Sequence, residues 1–421
     1  MSAPAHTATY AEEVIARCKK LATFSEDPGS TRRLFLSPPM HDVHREISGW
    51  MRQLGAEVSI DAAGNLRGLY PSARPDAPRL LIGSHLDTVP NAGAYDGVLG
   101  VVLAIALLQA LQGRKLPFAI EIVSFSEEEG VRFGTPFIGS RALVGRLDEK
   151  LLDREDPRGV SVRQAIRDFG LNPNEIPQAS LNENTLAYLE FHIEQGPVLE
   201  KLGRPLAAVE AIAGQTRLEF TFVGQSNHAG TTPMNLRYDA IAGAARWICA
   251  VEQLAHGTPG MVATVGMVEA KPGAVNVIAG EARVTLDLRH GSDSAREQAV
   301  RSLIRKAEEI AARRGLTVKR KLLVEQQAVA MDPFLVAEIE EAIRKAGCEP
   351  HRMVSGAGHD AMILAEQVPA AMIFLRTPGG ISHHPAESVG VEDVAKAIDC
   401  GLHLLDQLAA TPFPQSRTQR A

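Results

Sequence analysis

Two patterns of apolar and polar positions divide the chain near residue 211. Before it, short apolar runs alternate with helical segments. The runs Arg79–Ser84, Phe118–Phe125 and Leu186–Ile193 are typical of buried strands, and Val98–Leu111 is apolar nearly all round, as a buried helix is. Strand, helix and strand in this order predict a right-handed crossover and a largely parallel sheet.

The pattern changes from about Ala211. Gln215–Val223 alternates apolar and polar side chains, which is typical of a half-exposed antiparallel strand. Further predicted elements are a helix at Met234–Leu254, strands at Val262–Val268 and Ala282–Leu288, and a helix at Ser294–Arg313. After Gln326 the first pattern returns, with helices predicted near Pro333–Lys345, His359–Glu366 and Val391–Leu408. The fold class predicted is therefore α/β, with residues 1–210 and 328–421 forming one domain around a mostly parallel sheet and 211–327 an inserted α+β domain.

Composition narrows the class of protein. Of 421 residues, 45% are hydrophobic and 22% charged, which is typical of a soluble globular chain. A net charge of −6 without a run of Lys or Arg argues against a nucleic-acid partner. The longest apolar stretch, Val98–Leu108, is too short to cross a membrane, and the first residues lack the pattern of a targeting segment. The last residues, from Thr411, are expected to fray.

The cysteines indicate the cellular compartment of the protein. Four cysteines lie far apart without a CxxC pair, so we expect reduced thiols in the core and a cytoplasmic protein: Cys18, Cys249, Cys348 and Cys400.

Potential metal ligands follow the predicted strands. His85 and Asp87 in GSHLDT are two residues apart, so on an extended chain both face the same side. Asp87 could then accept a hydrogen bond from the His85 imidazole and fix its tautomer. Asp96 comes just before the apolar helix, where a carboxylate can bridge two cations with its two oxygens. A single His-x-Asp is more often a surface loop, so this motif alone decides little.

The next two strands and a distant loop supply more candidates. Glu127, Glu128 and Glu129 directly follow a predicted central strand, and His192 lies at the end of another. His383 is in a glycine-rich loop near the C-terminus. The three acids could form a solvated turn, but the carboxyl ends of strands in open α/β sheets are where sites form. Mixed imidazole and carboxylate ligands suit Zn²⁺, Mn²⁺, Co²⁺ or Ni²⁺.

These motifs carry a family resemblance over nearly the whole chain. GSHLDTVPNAGAYDGVLGV, FSEEEGVRF, FHIEQGP, SNHAGTTPM and GGISHHPAE, in this order, resemble the dinuclear metallo-amidohydrolases that include allantoate amidohydrolase, N-carbamoyl-L-amino-acid hydrolase and β-ureidopropionase. These are relatives of the aminoacylase and carboxypeptidase group of zinc hydrolases. The resemblance implies two divalent cations per subunit, either Zn, Mn, Co or Ni.

The resemblance also assigns the candidate ligands. It implies that His85 and His383 bind one cation, that Glu129 and His192 bind the other, and that Asp96 bridges the two. Glu128 is implied as the general base, with Glu127 outside the ligand set. His383, which follows Gly-Ile-Ser, is favoured over its neighbour His384.

The inserted domain is implied to be a lid that also forms a homodimer. By resemblance, Arg289 binds a substrate carboxylate bidentately with support from Asn276, and His228 donates to the developing oxyanion, with either subunit as its source. Gln195 is implied to hold the ureido group. The remaining candidates for substrate binding are Arg217 and Gln215. Without the resemblance, Arg289 would be a strand-end ion-pair residue and His228 a turn histidine.

The expected reaction is hydrolysis of a ureido C–N bond in a small molecule that carries a carboxylate. A water activated between the cations would give a proton to Glu128 and attack the carbonyl. The stretch Thr31–Pro38 resembles the allantoate branch with one extra residue, so we expect allantoate to yield ureidoglycine, ammonia and carbon dioxide. N-Carbamoyl-L-amino acids and 3-ureidopropionate remain alternatives. A peptidase of the same clan and a non-catalytic metal-binding protein are the rival classes.

Overall fold

The structure is a computed structural model that describes residues 4–411 and 413. Of the tail that was expected to fray, Thr411 and Phe413 are described and the other residues lie outside the described part of the chain. The strands are β1 (Glu57–Ile60), β2 (Leu66–Tyr70), β3 (Arg79–His85), β4 (Ala119–Phe125), β5 (Thr185–Ile193), β6 (Leu206–Ile212), β7 (Gly214–Val223), β8 (Val262–Thr264), β9 (Val268–Lys271), β10 (Glu281–His290), β11 (Thr317–Gln326), β12 (Val329–Ala330), β13 (Arg352–Ser355) and β14 (Ala370–Leu375).

Helices alternate with these strands along the chain. The α-helices are α1 (Pro4–Ala22), α2 (Pro39–Gln53), α3 (Val98–Ala110), α4 (Ile138–Leu143), α5 (Glu149–Leu152), α6 (Val162–Asp168), α7 (Val198–Leu202), α8 (Ala240–His256), α9 (Asp293–Arg313), α10 (Pro333–Lys345), α11 (Asp360–Leu364) and α12 (Val391–Ala410). Three short 3₁₀ helices span Pro173–Ala179, Met234–Leu236 and Pro378–Gly380. The chain divides into a first unit, 1–210 with 331–353 and 359–421, and a second unit, 211–330 with 354–358.

The first unit is built around a sheet in the order β1-β2-β4-β3-β5-β14-β6. Its four central strands, β4, β3, β5 and β14, are parallel, and the strands that flank them are antiparallel. Every residue of β4 and β14 is buried, and so is nearly all of α3, because helices cover both faces of a parallel sheet. The predicted α/β fold with a mostly parallel sheet is confirmed.

The second unit is an antiparallel sheet in the order β11-β7-β10-β8, with β9 also paired to β10. Buried and half-exposed residues alternate along β7 and β10, as the period of a strand requires when one face is covered. The buried face packs against α8 and α9 around Trp247, Phe220 and Leu303. The opposite face of β7 and β10 carries the polar side chains.

Three details differ from the sequence-based expectations. The strand predicted at Val262–Val268 is two strands, β8 and β9, separated by residues 265–267, where Gly266 interrupts the pairing with β10. The helix predicted from Met234 begins at Ala240, where Asp239 caps it by accepting a hydrogen bond from the Ala242 amide. All four cysteines are free thiols, but only Cys18 and Cys400 are buried and Cys249 is exposed.

Across the part of the chain that is described, no helix combines the length and apolar character needed to cross a membrane.

Candidate metal centre

Adjacent strand ends bring the predicted ligands together in the first unit. β3 ends at His85, and the neighbouring parallel strand β5 carries His192 one residue before its end. On the other side of β3, β4 ends two residues before Glu127, the first of the three acids. Because the carboxyl ends of parallel strands meet at one edge of a sheet, side chains far apart in sequence converge there.

Asp96 lies at the middle of this cluster. Its Oδ1 is 3.2 Å from Nε2 of His192 and 3.8 Å from Nε2 of His85. Its Oδ2 is 3.1 Å from Nε2 of His383, and that imidazole nitrogen is 3.7 Å from Oε1 of Glu129. His85, Asp96 and His192 are at most 3% exposed. The two oxygens of one buried carboxylate therefore face two different sets of side chains.

The distances group the candidate ligands differently from the pairing that the resemblance implies. His85 groups with His192 at Oδ1 of Asp96, and Glu129 groups with His383 at Oδ2. A further group of close ligand atoms joins His85 with Glu128 and Glu129. His85 and His192 come from neighbouring strands, and their Nε2 atoms are 3.5 Å apart. The resemblance pairs His85 with His383, whereas the proximity of side chains follows the order of strands in the sheet, which the order along the chain does not reveal.

Gly97 makes the approach of Asp96 to His85 possible. It adopts a φ of 67° at the start of α3, a left-handed conformation that glycine adopts readily. A Cβ at this position would lie 2.4 Å from ring atoms of His85. Only a glycine can therefore follow Asp96 in this turn.

Asp87 contacts His85 through both its main chain and its side chain. Nδ1 of His85 is 3.0 Å from the main-chain oxygen of Asp87 and 3.4 Å from its carboxylate. The Asp87 carboxylate accepts hydrogen bonds from the main-chain amides of Glu128 and Glu129, at 2.9 and 3.1 Å. Asp87 thus orients His85 mainly through its backbone, while its side chain fixes the turn that carries the acids.

The donor set fits divalent cations. Nδ1 of His85 and of His192 each lie at about hydrogen-bonding distance from a main-chain carbonyl, which only accepts, so both Nε2 atoms face Asp96 as potential ligand atoms. Burial raises the pKa of Glu128 well above its ordinary value and that of Glu129 to about 7. Burying so many carboxylates is costly unless positive charge neutralises them. Two cations between these groups would supply that charge.

His383, and not His384, reaches the cluster. His383 adopts a φ of 55°, a strained conformation for a non-glycine residue, and the Asp96 contact raises its pKa to about 8. His384 is exposed, and its Nδ1 accepts a hydrogen bond from the Ala386 amide. Gln195, also at positive φ, donates from Nε2 to Oδ2 of Asp96 at 2.9 Å. The structure therefore places Gln195 beside the candidate ligands.

Arg217 and Arg289 lie together on the polar face of the second unit. Both donate to the carboxylate of Asp287, Arg217 through Nε and Arg289 through Nε and Nη2. Nη1 of Arg289 donates to the main-chain oxygen of Gly356. These residues line a groove of about 580 Å³ within this unit. Gln215, at the start of β7, instead pairs with Gln326.

His228 and Asn276 are also neighbours within the second unit. The main chain of His228 forms a β-bridge with Val277, and the amide of Ala229 donates to the carbonyl of Asn276 at 2.9 Å. Both side chains are exposed. The roles inferred for the residues of this unit remain predictions.

The sequence analysis did not assign several residues to the site that the structure places there. Ser382 and Glu387 lie in the GGISHHPAE stretch and contact the loop of Asp96. His359 packs edge-on against His192, with ring centroids 4.5 Å apart, and joins Glu190 and His192 in another group of close ligand atoms. The signal for Ser382 and Glu387 was the polar content of a motif whose histidines alone were considered, whereas His359 lies outside the motifs that were assigned to the site.

Comparisons with known proteins identify the family. The profile described as Peptidase family M20/M25/M40 matches residues 81–407. An N-carbamoyl-L-amino acid amidohydrolase of Geobacillus stearothermophilus is 38% identical over 94% of this chain and 98% of its own length. An allantoate deiminase of Arabidopsis thaliana is 36% identical over 96% of this chain and 83% of its own length.

A solved structure extends the likeness to the fold. An amidase of the hydantoinase/carbamoylase family from Burkholderia multivorans superposes with a TM-score of 0.90 at 31% identity, over 96% of this chain and 98% of that one.

Proposed function

This chain belongs to peptidase family M20/M25/M40 and is a hydrolase of non-peptide C–N bonds, and we propose allantoate as its substrate. The products would be ureidoglycine, ammonia and carbon dioxide. Allantoate deiminases and N-carbamoyl-L-amino acid amidohydrolases are almost equally similar to the chain, so identity does not choose between them. The Thr31–Pro38 stretch favours allantoate, and an N-carbamoyl-L-amino acid is the alternative.

The observation that carries the proposal is the convergence of imidazoles and carboxylates on both oxygens of Asp96. The family is metal-dependent, and we infer two divalent cations per subunit, drawn from Zn, Mn, Co and Ni. His85 and His192 would hold one, Glu129 and His383 the other, and Asp96 both. When bound, the cations supply Lewis acidity, which polarises a carbonyl and makes water a stronger acid.

Glu128 would move the proton. It takes the proton of the attacking water and returns it to the nitrogen that leaves, so that one water adds across the broken C–N bond. Its pKa, raised by burial, would suit a group that must both accept and donate near neutral pH. The hydrogen bond from its main-chain amide to Asp87 holds it at the edge of the cluster.

Further residues are proposed to bind the substrate. Arg289 is proposed for the carboxylate because the triad of Arg217, Asp287 and Arg289 keeps a net positive charge. Asn276 would support Arg289, and His228 would stabilise the oxyanion. Gln195 would hold the ureido group, and Gln215 would make a smaller contribution to substrate binding.

A small substrate panel tests this function. Metal-loaded protein is assayed for ammonia release from allantoate, N-carbamoyl-L-amino acids and 3-ureidopropionate, with dipeptides as the control. The highest kcat/KM is expected with allantoate. Cleavage of dipeptides without release of ammonia from any ureido compound would contradict the proposal.

We also propose a cytoplasmic homodimer in which the second unit forms the contact. Mixing inactive Glu128→Gln and His228→Ala subunits tests whether His228 serves the partner subunit, because some heterodimers would then hold one complete site. Partial recovery of activity is expected. Absence of recovery after proven subunit exchange would place the action of His228 within its own chain or exclude it.

A further inference from the structure

Glu387 lies behind the candidate metal site, on the loop that carries His383. It is 5% exposed, and its Oε1 accepts hydrogen bonds from the main-chain amides of Tyr95 and Asp96, at 2.8 and 3.0 Å. Its Oε2 accepts from Oγ of Ser382 at 3.2 Å. One carboxylate thus joins two loops whose contacting residues are 291 positions apart in sequence.

The same contacts hold the side chain of Asp96. Oγ of Ser382 is 3.3 Å from Oδ2 of Asp96, and Nε2 of Gln195 is 3.2 Å from Oγ of Ser382. Because Oγ carries one hydrogen, it can donate to Asp96 or to Glu387 while accepting from Gln195. Glu387 therefore supports the main chain of Asp96 directly, while Ser382 lies between the two carboxylates and can donate to either one.

Gly93 shows how closely the two loops pack. A Cβ at Gly93 would lie 2.4 Å from Cβ of Glu387 and 2.7 Å from its Oε1. No other residue type fits between the Asp96 loop and Glu387 without moving one of them. The loop is therefore set directly against the side chain that binds its amides.

Charge alone does not explain a carboxylate at this position. Glu387 and Asp96 are both acidic, and two like charges close together in a buried environment repel each other. Nor is Glu387 in any group of close ligand atoms among the described residues. Beside its charge, which also interacts favourably with the His383 imidazole, Glu387 contributes the hydrogen bonds that it accepts.

We propose that Glu387 is a positioning residue that fixes the Asp96 and His383 loops in one geometry, so that both oxygens of Asp96 and Nε2 of His383 can hold the two cations together. This rests on the ligand roles proposed above for Asp96 and His383. Hydrogen-bonding partners of ligands commonly control metal affinity in this way, and their loss weakens binding about 10–100-fold.

Metal binding to Glu387→Ala and Glu387→Gln tests the proposal without using a substrate. Chelator-treated protein is titrated with Mn²⁺ or Zn²⁺ by calorimetry, and bound metal is counted by mass spectrometry. Glu387→Ala is expected to bind at least one cation about 10–100-fold more weakly. Glu387→Gln should bind nearly as the unaltered protein does, because its amide oxygen can accept both main-chain amides and its NH₂ can donate to Ser382.

Asp332→Ala is the matched control. One Asp332 oxygen accepts two main-chain amides, from Phe334 and Leu335, at the start of α10. This variant loses the same number of backbone hydrogen bonds and should keep normal metal affinity. Equal weakening in Asp332→Ala and Glu387→Ala would reduce the effect to general loss of stability and overturn the proposal.

Gly93→Ala tests the same geometry with Glu387 in place, which matters if Glu387→Ala does not fold. Its added methyl group should separate the two loops and weaken metal binding in the same direction. Unchanged affinity in both Glu387→Ala and Gly93→Ala would overturn the proposal. So would a Glu387→Gln protein as weak as Glu387→Ala, since charge and not hydrogen bonding would then be responsible. Failure of the substrate panel would leave these measurements unaffected.

Discussion

The candidate ligands of the first unit and the candidate substrate residues of the second unit differ in how they are held. His85, Asp96 and His192 are almost completely buried, and each is oriented by backbone contacts or by another candidate ligand. His228 and Asn276 are exposed, and the fork of Arg289 is occupied by Asp287. A metal site needs ligands fixed before the cation arrives, whereas residues that bind a transient substrate can remain paired with local groups until it does.

Removal of metal should produce the largest effect, because every proposed ligand lies in the first unit. Chelation should abolish activity, and Mn²⁺, Co²⁺, Ni²⁺ or Zn²⁺ should restore it. His383→Ala should lose metal and activity, while His384→Ala, the exposed neighbour, should retain both. Metal counting beside the activity assay checks this, and metal loss from His384→Ala alone would reverse the assignment.

Glu128 and Glu129 separate proton transfer from metal binding within the same turn. Glu128→Gln should keep both cations and lower kcat by about 10²–10⁴-fold, the usual contribution of a general base. Glu129→Gln should instead lower metal occupancy, since Glu129 groups with Asp96 and His383. Equal metal loss in the two variants would remove the distinction between them.

The sequence predicted the parts of this site that depend on local chemistry. A histidine or a pair of acids directly after an apolar strand identifies the candidate ligands, because strand ends carry sites in α/β sheets. The pairing of His85 with His192 could not be predicted in this way. It depends on β3 and β5 being neighbours in the sheet, although β4 lies between them in the chain.

Long-range hydrogen bonds were equally hidden from the sequence. Glu387 looks like one more acid in a C-terminal loop until its contacts with Tyr95 and Asp96 are visible. The division of the strand predicted at Val262–Val268 has a local cause, Gly266, but the apolar pattern runs through it. Sequence patterns thus predict which groups a loop offers more readily than what each group binds.

Substitution of Arg289 tests the role proposed for the second unit in binding the substrate carboxylate. Arg289→Lys should raise KM for substrates with a carboxylate about 10–100-fold and change kcat less, because an ammonium cannot reproduce the planar fork of a guanidinium. Arg283→Lys is the matched control: it lies on the same strand and pairs with Glu219 and Glu269. Steady-state kinetics on both variants check the prediction. An equal rise of KM in the control would assign the effect to strand stability.

Acid should lower the stability of the first unit through His44, which is buried on α2 with its ring edge-on to Phe169. Burial, and then the nearby His41, lowers the pKa of His44 from 6.5 to about 4. Between pH 6.5 and about 4, His44 therefore binds a proton in the unfolded chain but not in the folded chain. The free energy of unfolding is therefore highest above pH 6.5, where His44 is neutral in both states. It falls as the pH drops toward 4, by about 3 kcal/mol at 1.36 kcal/mol per pKa unit.

Chemical unfolding of chelator-treated protein measures this change, and His44→Leu is expected to flatten the pH dependence. His41→Leu, which replaces the exposed histidine stacked on the same Phe169 ring, should retain most of it. An unchanged slope in His44→Leu would mean that the acid sensitivity arises from other groups.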